Sequence, residues 1–144
     1  MKNVRLFVAF LVVLVASACA PANSRSATAS AESDIDKWLD AVRNHGARVE
    51  PAGEVEQPFL TVIGQMVQVN GEDVQVFAYP SAAAMEAQAA RISHDGGTVG
   101  TSKIHWIGAP HFFKQGKLLV LYVGENDDLR RILIATLGRQ FAGM

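Results

Sequence analysis

Four histidines are the side chains in this sequence best suited to metal binding or to acid–base chemistry near neutral pH. They are His45, His94, His105 and His111. Imidazole nitrogens and carboxylates are common ligands of divalent metals, so His94, His105 and His111 are candidate metal ligands. Their spacing does not follow H-E-x-x-H, C-x-x-C or a comparable ligand motif. Scattered surface or turn histidines are therefore the favoured interpretation, and the sequence predicts neither a metal nor another cofactor.

Motifs for nucleophilic catalysis do not occur in the sequence, which has neither a G-x-S-x-G elbow nor an S-x-x-K. Asp127 and Asp128 resemble the paired carboxylates of an acid–base site. They lie where a predicted helix begins, however, and negative charge is favourable there, so a structural role is favoured. The glycine-rich segment 96–100 follows a predicted helix, whereas a phosphate cradle precedes one. No catalytic residue is predicted.

Aromatic side chains are the remaining candidates for a ligand-lining or partner-facing surface. Several of them cluster in the second half of the chain, and two more lie on one face of a predicted hairpin. The alternative for each is ordinary core packing, which is the more common fate of aromatic residues. The candidate surface consists of Trp106, His111, Phe112, Phe113, Phe77 and Tyr79.

The N-terminal segment ends at Cys19, the only cysteine in the chain. Residues 1–5 form a short basic segment, residues 6–15 are all apolar, and residues 16–18 are small. This three-part pattern is typical of a signal peptide, and the apolar run is too short to cross about 30 Å of hydrocarbon as a helix. Residues 1–18 are therefore predicted to be a signal peptide that is removed on export.

The segment Val15-Ala16-Ser17-Ala18-Cys19 resembles a bacterial lipobox, in which the cysteine receives a diacylglyceryl thioether before cleavage. The resemblance implies a lipoprotein with Cys19 as the lipid-attachment point, carrying palmitate-like acyl chains, and two or three such chains anchor a protein stably. Ala16 stands where the family usually has Leu, and Ala-Ser-Ala also fits ordinary signal cleavage. The alternative is therefore an exported protein without an anchor, with a free thiol at Cys19.

The resemblance also implies a location in the cell envelope. Ala20 is not the Asp associated with retention in the inner membrane. The implied location is the outer membrane, facing the periplasm, in a Gram-negative cell, and otherwise the outer face of the cell membrane. The membrane is thus one partner, through the lipid, and an unknown protein or small molecule is the other.

The charge balance argues against nucleic acid as a partner. The chain has 13 Lys and Arg against 14 Asp and Glu, and removing residues 1–18 takes away Lys2 and Arg5. The mature chain then has 11 basic and 14 acidic residues, a net charge of −3. Binding to phosphates needs a basic patch, which this balance does not provide.

The rest of the chain divides into a tether and one domain. Residues 19–33 begin with the lipidated cysteine and continue with small polar residues without apolar periodicity, which predicts a flexible tether. Residues 34–144 are predicted to form a single α+β domain, because about 110 residues are enough to bury a core.

Three helices are predicted, from residue 33 or 34 to residue 44, from residue 81 to about residue 93, and after residue 125. In the first helix, apolar residues recur with helical spacing and form one face. It consists of Ile35, Trp38, Leu39 and Val42. Ser81 is the predicted N-cap of the second helix.

Two hairpins are predicted to form the sheet. Asn70-Gly71 favours a type I′ turn, which places Val67 opposite Val74 and Phe77 opposite Gly64. The face of this hairpin that carries Phe77 and Tyr79 is only half polar, so either the first helix covers part of it or it is a binding surface. Cover by the first helix is the favoured interpretation.

The second hairpin has a first strand at residues 103–107 and a turn at residues 114–116. Its second strand, residues 117–123, is apolar on both sides and is the predicted central strand. Residues 51–58 are predicted to be an acidic loop. The predicted fold is α+β, a small antiparallel sheet from two β-hairpins with three helices packed on it, in the order α-ββ-α-ββ-α.

Three functions remain compatible with these patterns. The first is a non-enzymatic binding or envelope-accessory domain held at a membrane. The second is a periplasmic metal-binding protein or enzyme using His94, His105 and His111. The third is a subunit that the tether delivers to a larger envelope assembly.

Overall fold

The structure, a computed structural model, describes residues 22–144. The predicted signal peptide and Cys19 lie outside the described residues. The helices are α1 (Ala22–Asn44), α2 (Ala82–Ala89) and α3 (Asp127–Leu137). The strands are β1 (Val49–Val55), β2 (Gly64–Val69), β3 (Glu72–Ala78), β4 (Thr98–Val99), β5 (Ser102–Lys103), β6 (Pro110–Gln115), β7 (Leu118–Val123) and β8 (Ala142–Gly143).

Six of the strands form an antiparallel sheet in the order β1-β2-β3-β7-β6-β8, and β4 pairs with β5 in a separate ribbon. The α+β class is therefore confirmed. The sheet is larger than two hairpins, because β1 and β8 add a strand at each edge. The chain order of the main elements is α-βββ-α-ββ-ββ-α-β rather than α-ββ-α-ββ-α.

The strand β1 corrects the prediction of a loop that begins at Pro51. Most of its side chains are exposed, so it lacks the apolar alternation that marks a half-buried strand. The pairing with β2 shifts between Pro51 and Gly53. A proline and a bulge are both tolerated at the edge of a sheet, where one side of the ladder is open.

The second hairpin is built from β6 and β7, so the prediction of a strand at residues 103–107 is wrong except for Lys103 in β5. Pro110 begins β6, a position where its missing N–H disturbs the ladder least. The next three residues, 111–113, are all buried, which places them on both faces of the sheet. The prediction for β7 is confirmed: it lies between β3 and β6, and Leu118 to Tyr122 are buried.

The first hairpin is confirmed in turn and register. Asn70 has a φ of 54° and Gly71 a φ of 87°, so both turn residues have the positive φ of a type I′ turn. Val67 lies opposite Val74. The Asn70 side chain adds a contact to the turn, because its Oδ1 accepts a hydrogen bond of 2.8 Å from the backbone N–H of Arg48.

The helix α1 is longer than predicted, because it begins at Ala22 instead of at residue 33 or 34. Alanines recur through residues 22–33, and alanine has the highest intrinsic helix propensity. The structure therefore gives most of the predicted tether a helical conformation. The predicted apolar face at the other end of the helix, from Ile35 to Val42, is buried as expected.

The two faces of the sheet carry separate cores. One face, with the valines of the first hairpin, packs against α1 and α3. The opposite face, with Phe77 and Tyr79, packs against α2 and Leu60. The expectation that the first helix covers the Phe77 face is wrong. The alanine-rich α2 suits this face because small side chains let a helix approach the large rings closely.

Two helix starts are confirmed by their capping bonds. Ser81 Oγ accepts a hydrogen bond of 3.1 Å from the backbone N–H of Ala84 at the start of α2. Asn126 Oδ1 accepts from the backbone N–H groups of Asp128 and Leu129 at the start of α3. Among the helices of residues 22–144, none has the length and apolar character needed to span a bilayer.

Replacing Asn70 and Gly71 together with alanine should lower the free energy of unfolding by about 1–3 kcal/mol, because alanine disfavours positive φ at both positions. Urea unfolding of the purified protein measures this loss. Asn70→Gly is the matched control, because it keeps the positive φ and removes only the side-chain contact. Equal stability of the double variant and the wild type would contradict the turn.

The close contact between Gly64 and Phe77 gives a second prediction. A Cβ built on Gly64 would lie 2.6 Å from the Phe77 ring, which is closer than side-chain atoms approach. Gly64→Ala should therefore destabilise the protein by about 1–3 kcal/mol through overpacking. Adding Phe77→Leu should recover part of that loss in a double-mutant cycle, and strictly additive effects would show that the ring does not cover the glycine.

Candidate functional site

The histidines proposed as metal ligands are not assembled into a site. His94 and His105 are exposed, whereas His111 is only 1% exposed. Within residues 22–144, no group of three or more His, Cys, Asp or Glu side chains is placed to hold a metal ion.

His111 has a defined place in the core. Its Nδ1 lies 2.9 Å from Gln140 Oε1, and its Nε2 lies 2.9 Å from the carbonyl oxygen of Gly124. The ring stacks on Tyr122 with the ring centroids 5.7 Å apart. Because both ring nitrogens are engaged by neighbouring groups, His111 joins the C-terminal segment to the end of β7 and is not directed at a ligand.

The aromatic residues proposed as a surface lie mostly inside the protein. Phe77, Tyr79 and Phe112 are buried in the core under α2, and Phe113 is buried in the core under α1 and α3. Together with the buried His111, these side chains offer no surface to a partner in this structure.

Trp106 is the remaining member of that set and is half-buried. Its Nε1 donates a hydrogen bond of 2.9 Å to the carbonyl oxygen of Gly96. Its ring meets Phe59 and Phe112 edge-on, each with a centroid distance of 5.8 Å. These contacts give Trp106 a role in holding the loop before β6.

Asp127 and Asp128 lie in the first turn of α3 and form ion pairs with Arg130 and Arg131, respectively. These pairs span one helical turn and are exposed. The structural role favoured from the sequence therefore accounts for both carboxylates.

A cavity of about 660 Å³ lies where α1 and α3 meet the β6–β7 turn and the start of α2, and we take it as the candidate functional site. Its volume falls within the range of about 300–1,000 Å³ that is usual for small-molecule sites. The apolar part of the wall comprises Trp38, Ala41, Pro80, Ala82 and Leu118. The polar part includes Asp34, Lys37, Ser81, Gln115, Lys117 and Thr136.

Three charged side chains form a network in this cavity. Lys117 Nζ lies 2.8 Å from Asp34 Oδ2, and Lys37 Nζ lies 3.6 Å from Asp34 Oδ1. Two ammonium groups thus share one carboxylate, which leaves one positive charge in excess. Lys117 Nζ also donates a hydrogen bond of 2.6 Å to Ser30 Oγ, one turn earlier on α1.

The elements of the fold determine where these charges lie. Lys117 directly precedes β7 and follows the turn glycine Gly116, which has a φ of 58°. Asp34 and Lys37 are one turn apart on α1, next to its buried residues. The network therefore links the first helix to the start of the central strand.

The environment of Asp34 favours its charged form. The Lys117 ammonium, at hydrogen-bonding distance, holds the pKa of the Asp34 carboxyl below its ordinary value of 3.8. Partial burial opposes this effect by raising the pKa, and Lys37 supports it with a smaller contribution. Asp34 is thus a carboxylate at neutral pH and keeps both lysines close to the cavity.

Trp38 forms an inner wall of the cavity. Its side chain is 3% exposed, and its Nε1 donates a hydrogen bond of 3.2 Å to Thr136 Oγ1 on α3. Thr136 Oγ1 in turn donates a hydrogen bond of 2.9 Å to the carbonyl oxygen of Ile132. The indole therefore has a fixed orientation, with part of its surface lining the cavity.

Sequence reasoning missed this site. Asp34 was interpretable as the start of a helix and Trp38 as a core residue. Nothing in the sequence connects them to Lys117, which lies 83 positions after Asp34 and 79 after Trp38. Only the packing of α1 against the start of β7 brings the three together. A lysine directly before a wholly apolar strand was the one available signal.

Comparisons with known proteins add no assignment: no family model, no curated protein and no solved structure matches this chain.

Asp34→Asn should lower the free energy of unfolding at pH 7 by at most about 1 kcal/mol, because it removes a partly exposed ion pair. The folded pKa of Asp34 is depressed, so its contribution is present at pH values above 3.8 and is lost as the pH falls below that value. The difference in the free energy of unfolding between Asp34→Asn and wild type should therefore become smaller only below pH 3.8. Urea unfolding between pH 7 and pH 2 measures it.

Asp36→Asn is the matched control for this measurement, because Asp36 is an exposed carboxylate on the same helix. It should stay within about 0.5 kcal/mol of wild type. If Asp34→Asn and Asp36→Asn behave alike at every pH, the ion pair contributes nothing to folding.

Proposed function

We propose that this chain is an exported lipoprotein, anchored at the cell envelope through Cys19, whose folded domain binds a ligand without catalysing a reaction. The observation that carries the proposal is the position of Cys19. The only cysteine of the chain directly follows a basic start, an apolar run and three small residues, which is where lipidation requires it.

The cavity at Asp34 and Lys117 is the binding site in this proposal. It combines an apolar wall with a few polar groups, as ligand sites usually do. Its charged residues Asp34 and Lys37 belong to α1, the helix that begins three residues after Cys19. At a rise of 1.5 Å per residue, the twelve steps from Ala22 to Asp34 correspond to about 18 Å of helix. The binding site would thus lie about 18 Å along α1 from the N-terminal end of the helix, which is the end nearer to Cys19 in the chain.

The membrane, through the lipid, and a small molecule in the cavity are the two partners that we propose. The location is the outer membrane, facing the periplasm, in a Gram-negative cell and the outer face of the cell membrane otherwise. We do not propose metal binding or catalysis by His94, His105 and His111, because the engaged ring nitrogens of the buried His111 leave it facing no ligand.

Cys19→Ser should move the protein from the membrane fraction to the soluble fraction, or leave an unprocessed form that still carries residues 1–18. The physical reason is the loss of the acyl chains, which bind the bilayer at about 0.8 kcal/mol per buried CH₂. Fractionation of producing cells and labelling with palmitate measure the two consequences.

Ser24→Ala is the control for this experiment, because it changes a small polar residue after the cleavage point and leaves the lipid acceptor in place. It should fractionate and label as wild type does. Unchanged membrane association of the Cys19→Ser variant in its processed form would refute lipidation and favour ordinary signal cleavage.

A further inference from the structure

We infer that the cavity binds a molecule in which a single carboxylate is attached to an apolar chain. This inference rests on the proposed function of the cavity as a ligand site and names its ligand class.

The charge of the cavity indicates a monoanion. The Lys117 and Lys37 ammonium groups lie 2.8 Å and 3.6 Å from the two carboxylate oxygens of Asp34. One carboxylate cannot neutralise two ammonium groups, so a second carboxylate from a ligand would complete a network of two positive and two negative charges. A ligand with a further negative charge would leave that charge without a partner.

The accessibility of the charges indicates where the carboxylate binds. The Lys37 side chain is 75% exposed, whereas those of Asp34 and Lys117 are each 26% exposed. Lys37 can therefore turn toward an incoming anion, while the Asp34–Lys117 pair stays in place. Lysine suits this role because its ammonium is a point charge on a flexible stem.

The wall indicates an apolar chain on the ligand. Trp38 and Leu118 are buried at the cavity, and Ala41 and Pro80 complete an apolar surface beside the charges. Burying apolar ligand atoms there is favourable at about 25 cal/mol for each Å² removed from water. The same chemistry occurs in medium-chain fatty acids and at the C-terminus of short apolar peptides.

The test is a titration of the full chain carrying Cys19→Ser, followed by ¹H–¹⁵N NMR. The substitution removes the lipid, so that no acyl chain of the protein competes. Octanoate and N-acetyl-leucyl-leucine represent the two sources of the ligand, and octan-1-ol and octylammonium carry the same chain without the negative charge. The indole N–H signals of Trp38 and Trp106 report the site and a distant control in one spectrum.

We expect a saturable shift of the Trp38 signal with octanoate, with the peptide, or with both, and no shift of the Trp106 signal. If octanoate has the lower dissociation constant, the ligand is a fatty acid. If N-acetyl-leucyl-leucine has the lower one, the ligand is the C-terminus of a peptide. Octan-1-ol and octylammonium should bind at least tenfold more weakly than the better carboxylate.

Two variants with opposite effects separate recognition from folding. Lys37→Gln should weaken carboxylate binding about tenfold because it removes the excess positive charge, whereas Asp34→Asn should tighten it because both ammonium groups become available. Lys103→Gln removes an exposed lysine outside the cavity and should change nothing. Thermal unfolding of each variant checks that its fold is retained.

Two results would overturn the inference. They differ in whether the cavity would still be a ligand site. Equal or tighter binding of octan-1-ol or octylammonium would show that the cavity is a ligand site for another class of molecule. No saturable Trp38 shift with any of the four compounds would also remove the cavity from the proposed function. The role of Cys19 is tested separately by fractionation and is unaffected by either result.

Discussion

The central strand β7 must be buried on both faces, and the arrangement of the other elements depends on this. Its residues Leu118 to Tyr122 are at most 3% exposed. A strand that is apolar on both sides needs a covering layer on each side of the sheet. The chain supplies α1 and α3 on one side and α2 on the other. β3 and β6 pair with its two edges, so its backbone groups are hydrogen-bonded within the sheet.

The cavity forms where this layered packing ends. Leu118 is the first buried residue of β7, and Lys117 lies directly before it, at the point where the strand enters the core. Asp34 on the neighbouring α1 lies beside Lys117. An ion pair between these two residues therefore replaces apolar contact at the edge of the core. The ion pair and the apolar wall beside it thus both result from the packing of the start of β7 against α1. Together they give the domain a site with both polar and apolar character.

Prediction from the sequence was more accurate for features that depend on neighbouring residues in the chain than for features that depend on distant contacts. The Asn70-Gly71 turn is local, since two residues set the sign of φ, and its register agreed with the structure. The edge strands β1 and β8 pair with β2 and β6, respectively, and their side chains do not show the alternation of apolar and polar residues that marks a strand. The aromatic residues near His111 could be proposed as a surface because the sequence does not state which face α2 covers.

The sequence by itself determined the local features of the folded domain: the apolar face of α1, the first hairpin and the apolar central strand. These depend on residue type and on spacing over a few positions. Only the tertiary structure decided which helix covers which face, that residues 110–115 form the strand beside β7, and that Asp34 and Lys37 meet Lys117. The physical reason is that such contacts join residues distant in the chain, and their selection depends on the packing of whole elements.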